Sequence, residues 1–143
     1  MTDAAPDYPS IDAVVNIWTE EALSHRPGWG GDFFVDKMNV DSGQMAPQSL
    51  EQMIDMLDAA NIERAFLIAA HSGRPGLPGC YHMPYEVVAR ACEKHPDRFS
   101  GLAGIDPFDG MNGVKAFEDA VTNMGFECFD SIHAVERINT RET

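Results

Sequence analysis

Apolar positions along the chain follow two periods. Ile11-Asp12-Ala13-Val14-Val15-Asn16-Ile17-Trp18 is a short, mostly apolar run. Such near-continuous apolar character predicts a strand covered on both faces, as in a parallel sheet. Leu50, Met53, Ile54 and Leu57 fall at i, i+3, i+4 and i+7, with Glu51, Asp55 and Asp58 on the other side, which predicts an amphipathic helix. Ser49 with Gln52 forms a capping-box pattern at its start, and Asn61 is expected to end it. Arg64 to Ala70 reads as a second buried strand. Pro84 opens the next helix, whose apolar face is Val87, Val88, Ala91 and Cys92, and Pro96 stops it. Ser100 to Ile105 is a third strand, closed by Asp106-Pro107. A third helix from Gly113 to Met124 turns Val114, Phe117, Ala120, Val121 and Met124 inward, with Gly125 as its stop. Glu127 to Ile132 is a candidate fourth strand.

The segments between are of a different kind. Thr19 to Ala46 reads as a long loop with a helical turn near Glu20 to Ser24, and His71 to Gly79 as a loop rich in Gly and Pro. Residues 1–10 are a loose lead-in and residues 134–143 a polar tail. The order β, α, β, α, β, α and a candidate β predicts an α/β fold with right-handed crossovers and a parallel sheet. The 143 residues suit a single domain.

Charge narrows the partners. With 10 basic and 23 acidic residues the net charge is −13, which repels nucleic acid and anionic lipid. The longest aliphatic or aromatic run, Ala65 to Ala70, is far short of the roughly 20 residues of a membrane span. The acidic N-terminus has no apolar stretch of the secretory kind. Cys80, Cys92 and Cys128 form no CxxC pair, and an odd count closes no disulfide framework. The expectation is a cytoplasmic protein with reduced, mostly buried thiols.

In parallel α/β architectures chemistry gathers where strands end. Those ends carry Asn16 and Trp18, then His71, Asp106 and His133. His71 and Asp106 are the candidate catalytic residues. Their structural alternatives are a loop-start histidine bonded to backbone and a cap before Pro107. Asn16 interrupts an apolar strand, and a buried amide needs partners. His25-Arg26-Pro27-Gly28-Trp29 sets a cation beside an aromatic face, so Arg26 and Trp29 are candidates for binding a carboxylate or aromatic ligand. Arg74, in the loop after the second strand, is a third. No HxH, HExxH, CxxC, GxSxG or phosphate-loop pattern is present. A metal site drawn from this chain would have to use His71, His82, Asp106 and His133.

The stretch His95-Pro96-Asp97-Arg98-Phe99-Ser100-Gly101-Leu102-Ala103-Gly104-Ile105-Asp106-Pro107 resembles a recurrent segment of the amidohydrolase-related family, which includes aminocarboxymuconate-semialdehyde and resorcylate decarboxylases. The helix ending Met124-Gly125-Phe126, the opening Ile11-Asp12, and the run Ser49 to Ala65 are similar to that family in the same order. The likeness spans residues 11–126. It implies a partial (β/α)8 barrel of three to four parallel βα units. It also implies a divalent metal, zinc or manganese, and hydrolysis or nonoxidative decarboxylation of a small, often aromatic, carboxylic acid. The family's first strand carries histidine ligands, and the matching positions here are Val14 and Asn16, so the resemblance puts Asn16 at the metal position. A complete barrel takes about 250 residues. The expectation is therefore the N-terminal half only, a truncated product. It would be either enzymatically active or an inactive remnant, and would form a homo-oligomer or associate with a complementary fragment. A metal-free hydratase-like or lactonase-like enzyme with His71 as general base is a further class.

Overall fold

The computed structural model describes residues 8–28, 32–73 and 80–130. Strand β1 (Ser10–Val15) leads to helix α1 (Glu20–Ser24), capped by the Thr19 hydroxyl, which accepts from the Ala22 N–H. A π-helical turn at Phe33–Lys37 and a 3-10 turn at Ser42–Met45 follow. Helix α2 (Leu50–Ala59) begins with the predicted capping box. Ser49 Oγ accepts from the Gln52 N–H at 3.2 Å, and Gln52 Oε1 accepts from the Ser49 N–H at 2.9 Å. Beyond its end Asn61 takes a left-handed step, φ 56°, and turns the chain into β2 (Ile62–Ala69). A two-strand antiparallel ladder, β3 (His71–Ser72) with β4 (Tyr81–His82), precedes helix α3 (Tyr85–Lys94). Strand β5 (Phe99–Gly104), a 3-10 turn at Pro107–Asp109, helix α4 (Met111–Asn123) and strand β6 (Phe126–Asp130) complete the described chain.

The main sheet runs β1-β2-β5-β6, every pairing parallel. Period-2 alternation sorts its side chains. Ala65, Leu67 and Ala69 of β2, with Phe99 and Ala103 of β5 and Phe126 of β6, enter one core with Leu50, Met53 and Leu57 of α2 and Val87, Val88 and Ala91 of α3. The opposite face carries Arg64, Phe66 and Ile68 beside Ser100 and Leu102, by the register Phe66↔Ser100 and Ile68↔Leu102. At its base Arg64 Nε donates to Ser100 Oγ at 2.8 Å and Ser100 Oγ donates to Glu127 Oε1 at 2.7 Å, so the buried hydroxyl is satisfied. Strands joined by helices in this parallel order make a partial (β/α)8 barrel, as the sequence pattern and the family resemblance implied.

Several local expectations are corrected. The first strand stops at Val15 and is covered on one face only, with Ile11 60% and Val14 48% exposed. As the terminal strand it has one neighbour, and nothing among the described residues packs on its second face. The stretch after β2 is not loop throughout, since His71–Ser72 pairs with Tyr81–His82. In α4 the contact seam runs through Gly113, Phe117, Ala120 and Met124, which leaves Val114 and Val121 exposed. The two small residues let the helix lie close, and the valines sit one position round. Cys80 and Cys92 are free and only partly buried. Among the described residues no helix is long and apolar enough to cross a membrane. The tail, 134–143, lies outside the described residues.

Candidate functional site

Asn16 follows β1 directly, His71 begins two residues beyond the end of β2, and Asp106 lies two residues beyond β5. These are adjacent parallel strands, so all three residues leave the same end of the sheet, the end at which α/β enzymes place their chemistry.

His71 sits in a stack of rings. Its imidazole lies parallel to His82 at 4.9 Å and 7°, and to Tyr85 at 4.7 Å and 5°. The register His71↔His82 sets the first contact, and the start of α3 after Pro84 sets the second. His71 Nε2 is 3.1 Å from the Met83 carbonyl, which can only accept, so Nε2 carries the hydrogen and Nδ1 the lone pair. His82 is held the same way by the Gly73 carbonyl at 3.3 Å. Tyr85 donates its hydroxyl hydrogen to the Gly104 carbonyl at 2.6 Å, tying α3 to the end of β5. Burial pulls the His71 pKa below its ordinary 6.5, and His82 adds to this, while the Met83 bond and the charges of Asp109 and Asp106 act the other way. The ring is therefore neutral at pH 7. Asp106 is 4% exposed, and its Oδ1 accepts from the Phe108 N–H at 3.0 Å, so it caps the turn before α4 while its charge reaches His71.

A second cluster gathers on Arg26. Its Nη2 donates to Asn16 Oδ1 at 2.9 Å. Its guanidinium carbon lies 4.4 Å over the Trp18 ring and 5.3 Å over the Tyr81 ring. The Trp18 indole is fixed in turn by its N–H donating to the Met45 carbonyl at 3.3 Å. Burial lowers the Arg26 pKa and raises that of Tyr81, and each opposes the shift of the other. Tyr81 and His82 are consecutive in β4, so the Arg26 cluster and the His71 stack lie on opposite faces of that short ladder.

The structure thus joins Asn16 to Arg26 and brings the charge of Asp106 to His71. Trp29, Arg74 and His133 lie outside the described residues. Sequence reasoning missed Tyr81 and Tyr85 as ring partners. The available signal was the short polar-aromatic run Tyr81-His82-Met83 between a Gly/Pro loop and the Pro84 helix start.

The donor set does not fit the metal that the resemblance implies. Among the described residues no group of three or more His, Cys, Asp or Glu side chains could hold an ion. Val14 has no lone pair to give, and Asn16 Oδ1 already accepts from a cation.

No family model matches the chain, and no curated protein matches it. Solved structures do. One is a 5-carboxyvanillate decarboxylase from Novosphingobium aromaticivorans DSM 12444, with bound manganese and 3-methoxy-4-hydroxy-5-nitrobenzoic acid. It is 19% identical, with a TM-score of 0.53 over 86% of this chain and 41% of its own. A dihydroxybenzoic acid decarboxylase from Polaromonas sp. JS666, with bound manganese and 2-nitroresorcinol, matches at 19% identity and TM-score 0.53 over 85% of this chain and 37% of its own. A 2,6-dihydroxybenzoate decarboxylase from Rhizobium matches at 17% and 0.51 over 85% and 38%. The chain spans about two fifths of the length of these structures. At this identity the likeness shows the fold alone, a partial (β/α)8 barrel.

Proposed function

We propose that this chain is part of a barrel enzyme acting on a small, aromatic carboxylic acid by nonoxidative decarboxylation or hydrolysis. The observation that carries the reading is the emergence of Asn16, His71 and Asp106 beyond three adjacent parallel strands, in a fold whose solved neighbours are decarboxylases of aromatic acids. Arg26, across the β3–β4 ladder from His71, holds the substrate carboxylate, with Trp29 and Arg74 as further candidate contacts. His71 is the proton carrier. Its Nδ1 lone pair accepts a proton near neutral pH, and the Asp106 and Asp109 charges favour the imidazolium that results. Asp106 adds to the Asp109 charge from its capping position before Phe108. No step runs through a metal, because no group of His, Cys, Asp or Glu among the described residues fits one.

A second reading is an inactive remnant that completes its barrel with a second copy or a complementary fragment. The terminal positions of β1 and β6 in the sheet favour it, since each has an unpaired side among the described residues. The test is conversion of hydroxybenzoate-type acids by purified chain, followed by chromatography of the products with and without manganese. Turnover supports the enzyme. Binding without turnover supports the remnant. Neither binding nor turnover removes the aromatic-acid reading.

A further inference from the structure

We infer that Tyr85 is a positioning residue for His71: its ring holds the imidazole in the orientation that presents the Nδ1 lone pair to a proton. The inference rests on the reading of His71 as proton carrier and goes beyond it by naming the group that aims that atom.

The first support is what the backbone bond leaves undone. His71 Nε2 donates to the Met83 carbonyl at 3.1 Å. Rotation about the Cβ–Cγ bond moves Nδ1 further than Nε2, which lies nearer that axis, and the histidine ring torsion has broad wells. One hydrogen bond therefore decides which nitrogen carries the hydrogen, but not where the other one faces. The plane of the ring is set by walls. Tyr85 lies parallel to it at 4.7 Å and 5°, and His82 at 4.9 Å and 7°.

The second support is the firmness of one wall. His82 stands on a two-residue strand pair and is tied by the Gly73 carbonyl at 3.3 Å. Tyr85 opens a ten-residue helix, is 7% exposed, and is held at both ends. Its hydroxyl donates to the Gly104 carbonyl at 2.6 Å. Burial raises its pKa above the ordinary 10, and the Asp109 charge adds to this, so the hydroxyl stays a donor. That hydroxyl is engaged with backbone, so Tyr85 acts through His71. Gly104 ends β5 two residues before Asp106, so the same tether sets the His71 plane relative to that carboxylate.

The third support is the backing behind the wall. The Phe126 ring of β6 lies 5.4 Å from Tyr85, tilted by 55°, and is 3% exposed. It has a seat because residue 101 is glycine: a Cβ there would lie 2.9 Å from Phe126 Cδ1 and Cε1. Gly101 makes room for Phe126, Phe126 backs Tyr85, and Tyr85 backs His71. Two strands and a helix thus converge on the plane of one imidazole.

The experiment is nitrogen NMR of the histidine rings in the whole chain at pH 8, for wild type, Tyr85→Leu and Tyr85→Phe, with thermal unfolding measured alongside. Wild-type His71 should show the widely split shifts of a single tautomer with its hydrogen on Nε2. Tyr85→Leu removes the wall, and the two nitrogens should move toward a common shift as tautomers and orientations mix. Tyr85→Phe keeps the wall and should restore the split. A merely structural tyrosine would lower the Tm of the leucine variant and leave the tautomer alone, so unchanged His71 shifts in a folded Tyr85→Leu overturn the inference. Equal shifts in the leucine and phenylalanine variants overturn it too. If Tyr85→Leu does not fold, the tether decides. Loss of the Gly104 bond in Tyr85→Phe should speed exchange of the His71 Nε2 hydrogen with water about fivefold or more, and exchange at the wild-type rate overturns the inference. None of these readouts uses a substrate. A His71→Gln chain with full turnover would instead remove the proton-carrier reading and leave the positioning geometry standing.

Discussion

Gly104→Ala is the sharpest test of how the site is built. Gly104 ends β5 where it crosses the turn out of β2. A methyl group there would lie 2.7 Å from the His71 backbone nitrogen and 3.0 Å from Ala70 Cα, and closer still to the Ala69 carbonyl oxygen. All three are backbone atoms, so none yields by a rotamer change. Either β2 and β5 separate at their carboxyl ends, or the turn carrying His71 moves. The first outcome also strains the Tyr85 bond to the Gly104 carbonyl. Overpacking of a tight interior costs about 1–3 kcal/mol, and backbone neighbours put this case at about 3 kcal/mol. In a chain of this size that is a fall in Tm of roughly 10 °C. Gly28→Ala is the control, because no atom of the described residues lies within 4 Å of the added carbon, and it should change stability by about 0.5 kcal/mol or less. Urea denaturation of the three proteins measures the difference, and the NMR signals of the His71 ring report the displacement. A Gly104→Ala chain with the wild-type midpoint and unmoved His71 signals would refute the close approach of the two strands.

Other predictions follow from buried titratable groups. His71 should titrate below 6.5 in an NMR pH series, because burial and His82 oppose its charge. The unfolded chain then binds the proton more readily than the folded one. The contribution of His71 to stability is therefore complete above pH 6.5 and is lost as the pH falls through the folded value, a slope that His71→Gln should remove from urea midpoints measured between pH 4 and pH 8. Burial pushes the Cys92 thiol up to about 11, so at pH 8 it is almost wholly protonated. Peptide mapping after iodoacetamide should find Cys92 unlabelled in the native chain and labelled in urea, and equal labelling in both would contradict its burial.

The fold was legible in the sequence because its elements carry their own punctuation. Ser49 and Gln52 announced α2, Pro84 announced α3, and the core strands read as apolar runs because helices cover one face and the sheet's middle covers much of the other. The same logic fails at β1, whose apolar run predicts two covered faces while the structure covers one. Covering is a property of neighbours, and among the described residues the terminal strand has only β2 beside it. It fails again in α4, where periodicity selects the larger residues, although close packing chooses Gly113 and Ala120 for contact. Of the candidate site, the position of Asn16, His71 and Asp106 at one end of the sheet followed from strand order alone. Their partners did not. Tyr81 reaches Arg26, and His82 and Tyr85 enclose His71, because of a two-residue ladder too short to leave a period of its own.

The sides of β1 and β6 that are unpaired among the described residues give the acidic composition a purpose that has nothing to do with ligands. An unfinished strand margin invites another chain to add its backbone, the first step towards an insoluble aggregate. With a net charge of −13, two such molecules repel before their margins meet. That protection is electrostatic, so it thins as salt rises and vanishes near the isoelectric point of about 4.5, where the same margins become adhesive. Handling this protein in dilute buffer near neutrality keeps its own surface charge at work as the dispersant.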